Sequence, residues 1–362
     1  MTGSARPLLP RRANLCIRLG MAKDSASQDL GISTEHPGFS RRFAAIVGAP
    51  RTGTTALSRF LRKHPAVCFS KVKEPHFFSQ WDLTQVPDDE LRHAVGKEYL
   101  ERYFPNCGDG KAMLMEGSVT YLYAPEQMTP ILKLWPDAKF IIGLRDPMDM
   151  IPSLHQRLLV LGDETEEDLE KAWDLVEERK HGREIPKSCV EPRWLRYDEV
   201  GKLGSYVERF IEVVGRERCY FSLYDDLKAD PAGAYRDALD FLGLPHVGQV
   251  DEAPRRVRRG YKYAWLQRLL MRPPGVTRKI MAGAPYRRRV EAVEKLRGKK
   301  SATLRLIERA RKALLKWNQA DAPPVRMSPR LRKEIAAHYR ADVDRLGEIL
   351  GRDLSHWLAE RP

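Results

Sequence analysis

Apolar positions along the chain fall into two textures. Short, nearly continuous runs at Phe43–Val47, Val67–Phe69, Met113–Met115, Lys139–Leu144 and Cys219–Leu223 predict strands covered on both faces, as in a parallel sheet. Between them, Thr54–His64 places Ala56, Leu57, Phe60 and Leu61 at helical spacing. Gln127–Trp135, Met148–Val160, Tyr206–Val214 and Pro231–Leu242 also read as helices, the last opened by Pro231 and closed by Gly243. Strands alternating with helices predict an α/β fold, a three-layer sandwich with a mostly parallel central sheet. After Pro254 the strand runs stop and a helical C-terminal extension is expected. Within it, Ser328–Trp357 predicts one helix and a terminal turn, carrying Leu331, Ile335, Tyr339, Val343 and Leu346 on one face. The expected organisation is a mobile segment over 1–40, an α/β core over 41–253 and a basic helical region over 254–362 packed on the core. For residues 1–40 an Arg-rich targeting peptide is the other reading, and Met21 offers a second start.

Composition adds limits. Of 362 residues, 42% are hydrophobic and 31% charged, which suits a globular protein. No apolar run approaches the roughly 20 residues of a helical membrane span. Five Cys without a CxxC pair argue against a disulfide-stapled secreted domain and against a zinc cluster. The net charge of +14 is local: Arg255–Lys316 holds 21 basic and 3 acidic residues, so the remainder is slightly acidic. Local basicity implies a local anionic partner or surface. The expected location is cytoplasmic, with peripheral membrane contact through this region.

The most informative segment is Gly48-Ala49-Pro50-Arg51-Thr52-Gly53-Thr54-Thr55. It has the G-x-x-x-x-G spacing of a phosphate-binding loop between a strand and a helix. Backbone N–H groups of such a turn and of the following helix start converge on an anion. Gly53 permits close approach, and the Thr hydroxyls can donate. The place where a nucleotidase loop carries Lys is held by Thr54, which weakens the case for a magnesium triphosphate. Arg51 inside the loop suits a clamped phosphate or sulfonate.

With these residues, Phe43–Thr55 resembles the 5′-phosphosulfate loop of sulfotransferases that use 3′-phosphoadenosine 5′-phosphosulfate (PAPS). It is closer to the glycosaminoglycan branch and its bacterial relatives than to the cytosolic phenol and steroid branch. The resemblance extends over roughly Phe43–Tyr261, and Asp321–Trp357 resembles the endings of bacterial members. It implies a P-loop-like fold and PAPS as co-substrate, with no metal. It also implies that Arg145, at the end of the fourth strand, and Ser153, eight residues on, hold the 3′-phosphate. Arg258-Arg259-Gly260-Tyr261 resembles the family's late loop over the 3′-phosphate and adenine. In Lys71-Val72-Lys73-Glu74-Pro75-His76-Phe77-Phe78, Glu74 takes the position of the general base, and His76 is the rival base or the residue that orients substrate. Phe77 and Phe78 read as core. Two departures are visible: Ser79 stands where the branch has an acidic residue, and Gly117-Ser118 follow Glu116 where it often has Lys. Lys73 and Arg51 are the cations available instead.

The implied reaction moves a sulfuryl group in line to an acceptor hydroxyl or amine on a carbohydrate, lipid or small metabolite, with alignment and charge stabilisation as the protein's work. Arg51, Thr54 and Thr55 would steady the phosphosulfate while Glu74 takes the proton. The rivals are a P-loop small-molecule kinase and a non-enzymatic anion-binding or membrane-surface protein. No recognised nucleic-acid module is present, and no specific nucleic acid is expected as partner.

Overall fold

The computed structural model describes residues 36–108, 110–247, 259–272, 302–321 and 327–359. They fall into two compact units, one built from the described residues up to Leu144 and from Tyr206 to 247, the other from Arg145–Ser205 and the described residues beyond 253.

The first unit is organised by five parallel strands: β1 (Arg42–Gly48), β2 (Val67–Phe69), β3 (Met113–Gly117), β4 (Lys139–Leu144) and β5 (Cys219–Leu223), in the order β2-β3-β1-β4-β5. Ala44 of β1 pairs with Met115 on one side and Lys139 on the other. Phe43 to Val47 are all buried, as a central parallel strand requires. Helix α1 (Thr54–Lys63) buries Leu57, Phe60 and Leu61. Alternation along β4 shows that both faces of the sheet are covered. Phe140 meets Phe210 of the helix Leu203–Val214 at 5.4 Å between ring centroids. Gly143, of opposite parity, faces Thr52 and Thr54 at the start of α1. Phe60 of α1 in turn packs on Tyr235 of the helix Pro231–Leu242. The three-layer α/β fold is therefore present. A disulfide joins Cys68 of β2 to Cys107 with Cα atoms 5.6 Å apart, a bridge that Cys spacing did not indicate.

The second unit is mainly helical. Helix α2 (Pro147–Leu161) opens on Asp146, whose carboxylate accepts from the Met148 N–H at 2.7 Å. Glu164 and Arg179 form a buried pair at 2.8 Å, and the Tyr197 hydroxyl donates to the same carboxylate. The expected long helix is α5 (Pro329–Leu350), capped by Ser328 and ended by Gly351, with a terminal turn at Ser355–Leu358. Its buried Asp342 accepts from the N–H groups of Gly204 (2.7 Å) and Ser205 (2.8 Å). Helices α3 (Ala264–Met271) and α4 (Ala302–Asn318) precede it.

The expectation that strands end after Pro254 is corrected. Arg259–Tyr261 (β6) and Gln319–Asp321 (β7) form a small antiparallel pair. Asn318, buried, supports it by accepting from the Tyr263 N–H on Oδ1 and donating from Nδ2 to the Tyr263 carbonyl. Among the described residues no helix is long and apolar enough to cross a membrane.

Candidate active site

The loop after β1 is built as its sequence suggests. The Ala49 N–H donates to the Gly143 carbonyl at 2.9 Å, pinning the loop to β4. Thr52 is buried and turns its hydroxyl inward, donating to the Ala49 carbonyl at 2.7 Å. Only a glycine at 143 admits this, because a Cβ there would lie 2.5 Å from Thr52 Oγ1. Gly53 precedes α1 with φ of 87°, a left-handed conformation, and a Cβ would meet Leu227 at 2.6 Å. Arg51 is also left-handed, at φ 68°, a conformation uncommon outside glycine and one that concentrates at functional sites. No side chain caps α1. A helix start without a side-chain cap, with the positive end of its dipole, suits an anion.

The segment after β2 brings Lys73, Glu74 and His76 to this loop. Lys73 Nζ lies 2.6 Å from Glu74 Oε1 and 3.1 Å from Thr55 Oγ1 in the first turn of α1. His76 Nε2 lies 3.5 Å from Glu74 Oε2. Burial alone would raise the Glu74 carboxyl. The hydrogen bond and charge of His76, followed by those of Lys73, outweigh it and hold the group at about 2. Glu74 is therefore ionised and half-buried, with 30% of its side chain exposed.

His76 is held from behind. It is buried, with φ of 55°. Its N–H donates to Ser118 Oγ at 2.9 Å, and its Nδ1 lies 2.7 Å from Thr120 Oγ1. Ser79 Oγ sits 2.6 Å from the same Thr120 hydroxyl and donates to the His76 carbonyl. Ser118 in turn donates to Glu116, which is fully buried and also accepts from Tyr99 (3.0 Å) and Tyr121 (2.6 Å). Burial raises the Glu116 carboxyl above its ordinary range, against the pull of these three hydroxyls. Phe77 and Phe78 are core, as expected. The two departures, Ser79 and Ser118, are thus parts of one clamp on His76. Sequence reading missed Ser118, Thr120 and Glu116 as its members, because the contacts span about 40 residues.

The other expected residues lie in the second unit. Arg145 is almost fully buried and reaches Asp149 at 3.6 Å. Ser153, half-buried, stands four residues beyond Asp149 on α2, so Asp149 and Ser153 share one helix face. Arg259, Gly260 and Tyr261 form β6, paired with Asp321, Ala320 and Gln319. Arg258 lies outside the described residues. Among the described residues no group of three or more His, Cys, Asp or Glu is placed to hold a metal.

The first unit thus combines a parallel sheet, a phosphate-type loop after its central strand β1 and a carboxylate–imidazole pair beside that loop. A profile of the Sulfotransferase family matches residues 44–248, and the chain belongs to that family. It is 27% identical over 209 residues to heparan sulfate glucosamine 3-O-sulfotransferase 6 of Homo sapiens, covering 57% of this chain and 54% of that protein. It is 27% identical over 205 residues to heparan sulfate glucosamine 3-O-sulfotransferase 3A1 of Mus musculus, covering 56% and 46%. The chain thus spans about half the length of the curated relatives it matches. Among solved structures, a sulfotransferase from Alicyclobacillus acidocaldarius is similar at a TM-score of 0.55 and 25% identity, over 88% of this chain and 99% of that one.

Proposed function

We propose that the protein transfers a sulfuryl group from PAPS to a hydroxyl, or an amine, of a saccharide acceptor. The observation that carries this reading is the meeting of Thr55, Lys73, Glu74 and His76. It sets an ionised carboxylate against an uncapped, anion-seeking helix start. The saccharide rests on the relatives, whose names describe action on heparan sulfate glucosamine.

In this mechanism the loop N–H groups of residues 51–55 and the Arg51 guanidinium hold the 5′-phosphosulfate and take up charge on the departing phosphate. Thr54 and Thr55 fix the sulfonate. The acceptor oxygen bonds to sulfur, the bond from sulfur to the 5′-phosphate oxygen breaks with its electron pair, and Glu74 takes the hydroxyl proton. His76, locked by Ser118 and Thr120, orients the carboxylate. Arg145 and Ser153 are assigned to the 3′-phosphate, and Arg258, Arg259, Gly260 and Tyr261 to the late loop, on resemblance. The step calls for no divalent ion, and Thr54 stands where a kinase loop would carry its Lys.

Thermal shift tests the donor. 3′-Phosphoadenosine 5′-phosphate (PAP) should raise the melting temperature more than ATP with magnesium, and Arg145→Ala should remove the difference. An equal response of the wild-type protein to both ligands would return the reading to a kinase.

A further inference from the structure

Lys73 has a place in the site that the mechanism above does not use. Its carbonyl accepts from the Gly117 N–H at 3.1 Å, which fixes its main chain against the end of β3. Its side chain is 30% exposed, and its ammonium touches two groups with opposite needs. One is Glu74, at 2.6 Å, which has to accept a proton. The other is the hydroxyl of Thr55, at 3.1 Å, in the first turn of the helix that faces the donor. Among the described residues, the charged or titratable side chains on Glu74 are Lys73 and His76. A carboxylate gripped by both is a weak base, held at about 2. An ammonium has three N–H donors on a flexible stem, so it can change acceptors without moving its backbone.

We propose that Lys73 is a catalytic residue that changes partner when the donor binds: it leaves Glu74 for the sulfonate oxygens, remaining beside Thr55, and so frees the carboxylate to take the acceptor's proton. The inference rests on the sulfotransferase reading above. Lys73 keeps its own proton throughout. It neutralises the sulfonate as the acceptor oxygen bonds to sulfur and the bond to the 5′-phosphate oxygen breaks. The device also orders the reaction, because the base stays latched until a sulfonate is present to release it.

The test compares PAPS with PAP, which lacks the sulfonate, on the full chain by titration calorimetry, and follows PAPS hydrolysis with water as the acceptor. Lys73→Met is the main variant. Lys73→Arg, which keeps the charge, controls for folding. Wild-type preference for PAP over ATP with magnesium establishes the underlying reading independently. In Lys73→Met, PAP affinity should stay within about threefold of wild type, the added affinity for PAPS should vanish, and hydrolysis should fall by about 10²-fold. Lys73→Arg should recover part of both. A Lys73→Met protein with wild-type PAPS preference and rate would overturn the proposal. So would equal losses for PAP and PAPS, which would make Lys73 a fixed phosphate clamp.

Discussion

Two regions of this protein handle charge in opposite ways. Around the loop after β1, few charged groups are present and each is committed. Lys73 pairs with Glu74, Glu74 meets His76, and Glu116 accepts three hydroxyls behind them. In the C-terminal region the chain carries its excess positive charge, and described aromatic side chains there stand exposed. Trp265 and Trp317 are 66% and 55% exposed there, and Lys262 lies over the Trp317 ring at 5.2 Å. Group-transfer chemistry needs fixed distances, and the contacts among Lys73, Glu74, His76 and the groups behind them would supply such distances in the proposed reaction.

The comparison breaks hardest at Glu116. Removing its carboxylate leaves the hydroxyls of Tyr99, Tyr121 and Ser118 buried without their acceptor. At about 1–3 kcal/mol for each unsatisfied group, Glu116→Ala should lower stability by roughly 4 kcal/mol, read as a shift in the urea midpoint. A loss as small as that of a surface substitution would mean that the network behind His76 is not a support.

Glu74→Gln tests the working end. Turnover should fall by about 10²-fold or more while PAP affinity holds. Wild-type turnover would transfer the base role to His76. The same variant has a pH signature. The folded carboxyl sits at about 2, below its ordinary value of 4.5. Its pairing therefore adds stability that is complete above 4.5 and is lost as the pH falls toward 2. The melting-temperature advantage of wild type over Glu74→Gln should shrink across that window and stay level above it.

The contrast also explains what the sequence made legible. The loop Gly48–Thr55 could be read because its geometry is local: a strand run, a tight turn with Gly53 and a helix start lie within a dozen residues. The five strands of the sheet were readable for the same reason, as buried runs. The clamp on His76 was not, because Ser118 and Thr120 reach it from another strand's loop, 42 and 44 residues away. A serine or threonine carries no periodic signal that marks such a contact. The same holds for Cys68 with Cys107, 39 residues apart. β6 and β7 escaped because each has three residues, among them Gly260 and Asp321, types depleted in strands, and their pairing joins distant segments. Glu74 and His76 were singled out through family resemblance, and the structure shows the partners that hold the pair together.

The smallest expected effect lies at the exposed aromatic face. Trp317 stacks on Tyr263 with ring centroids 5.8 Å apart, while Asn318 holds the adjoining backbone of Tyr263 from the buried side. The frame is therefore fixed by Asn318, and the outward rings add little to folding. Replacing Trp265 and Trp317 together by Ser should change stability by no more than about 0.5 kcal/mol per site, the usual range for surface substitutions. PAP affinity should be unaffected, since neither ring has a place in the donor loop. A large loss of stability would show that these rings are covered in the folded protein. Loss of PAP affinity with stability intact would extend donor binding beyond the Arg258–Tyr261 loop to these rings and erase the division drawn between the two regions.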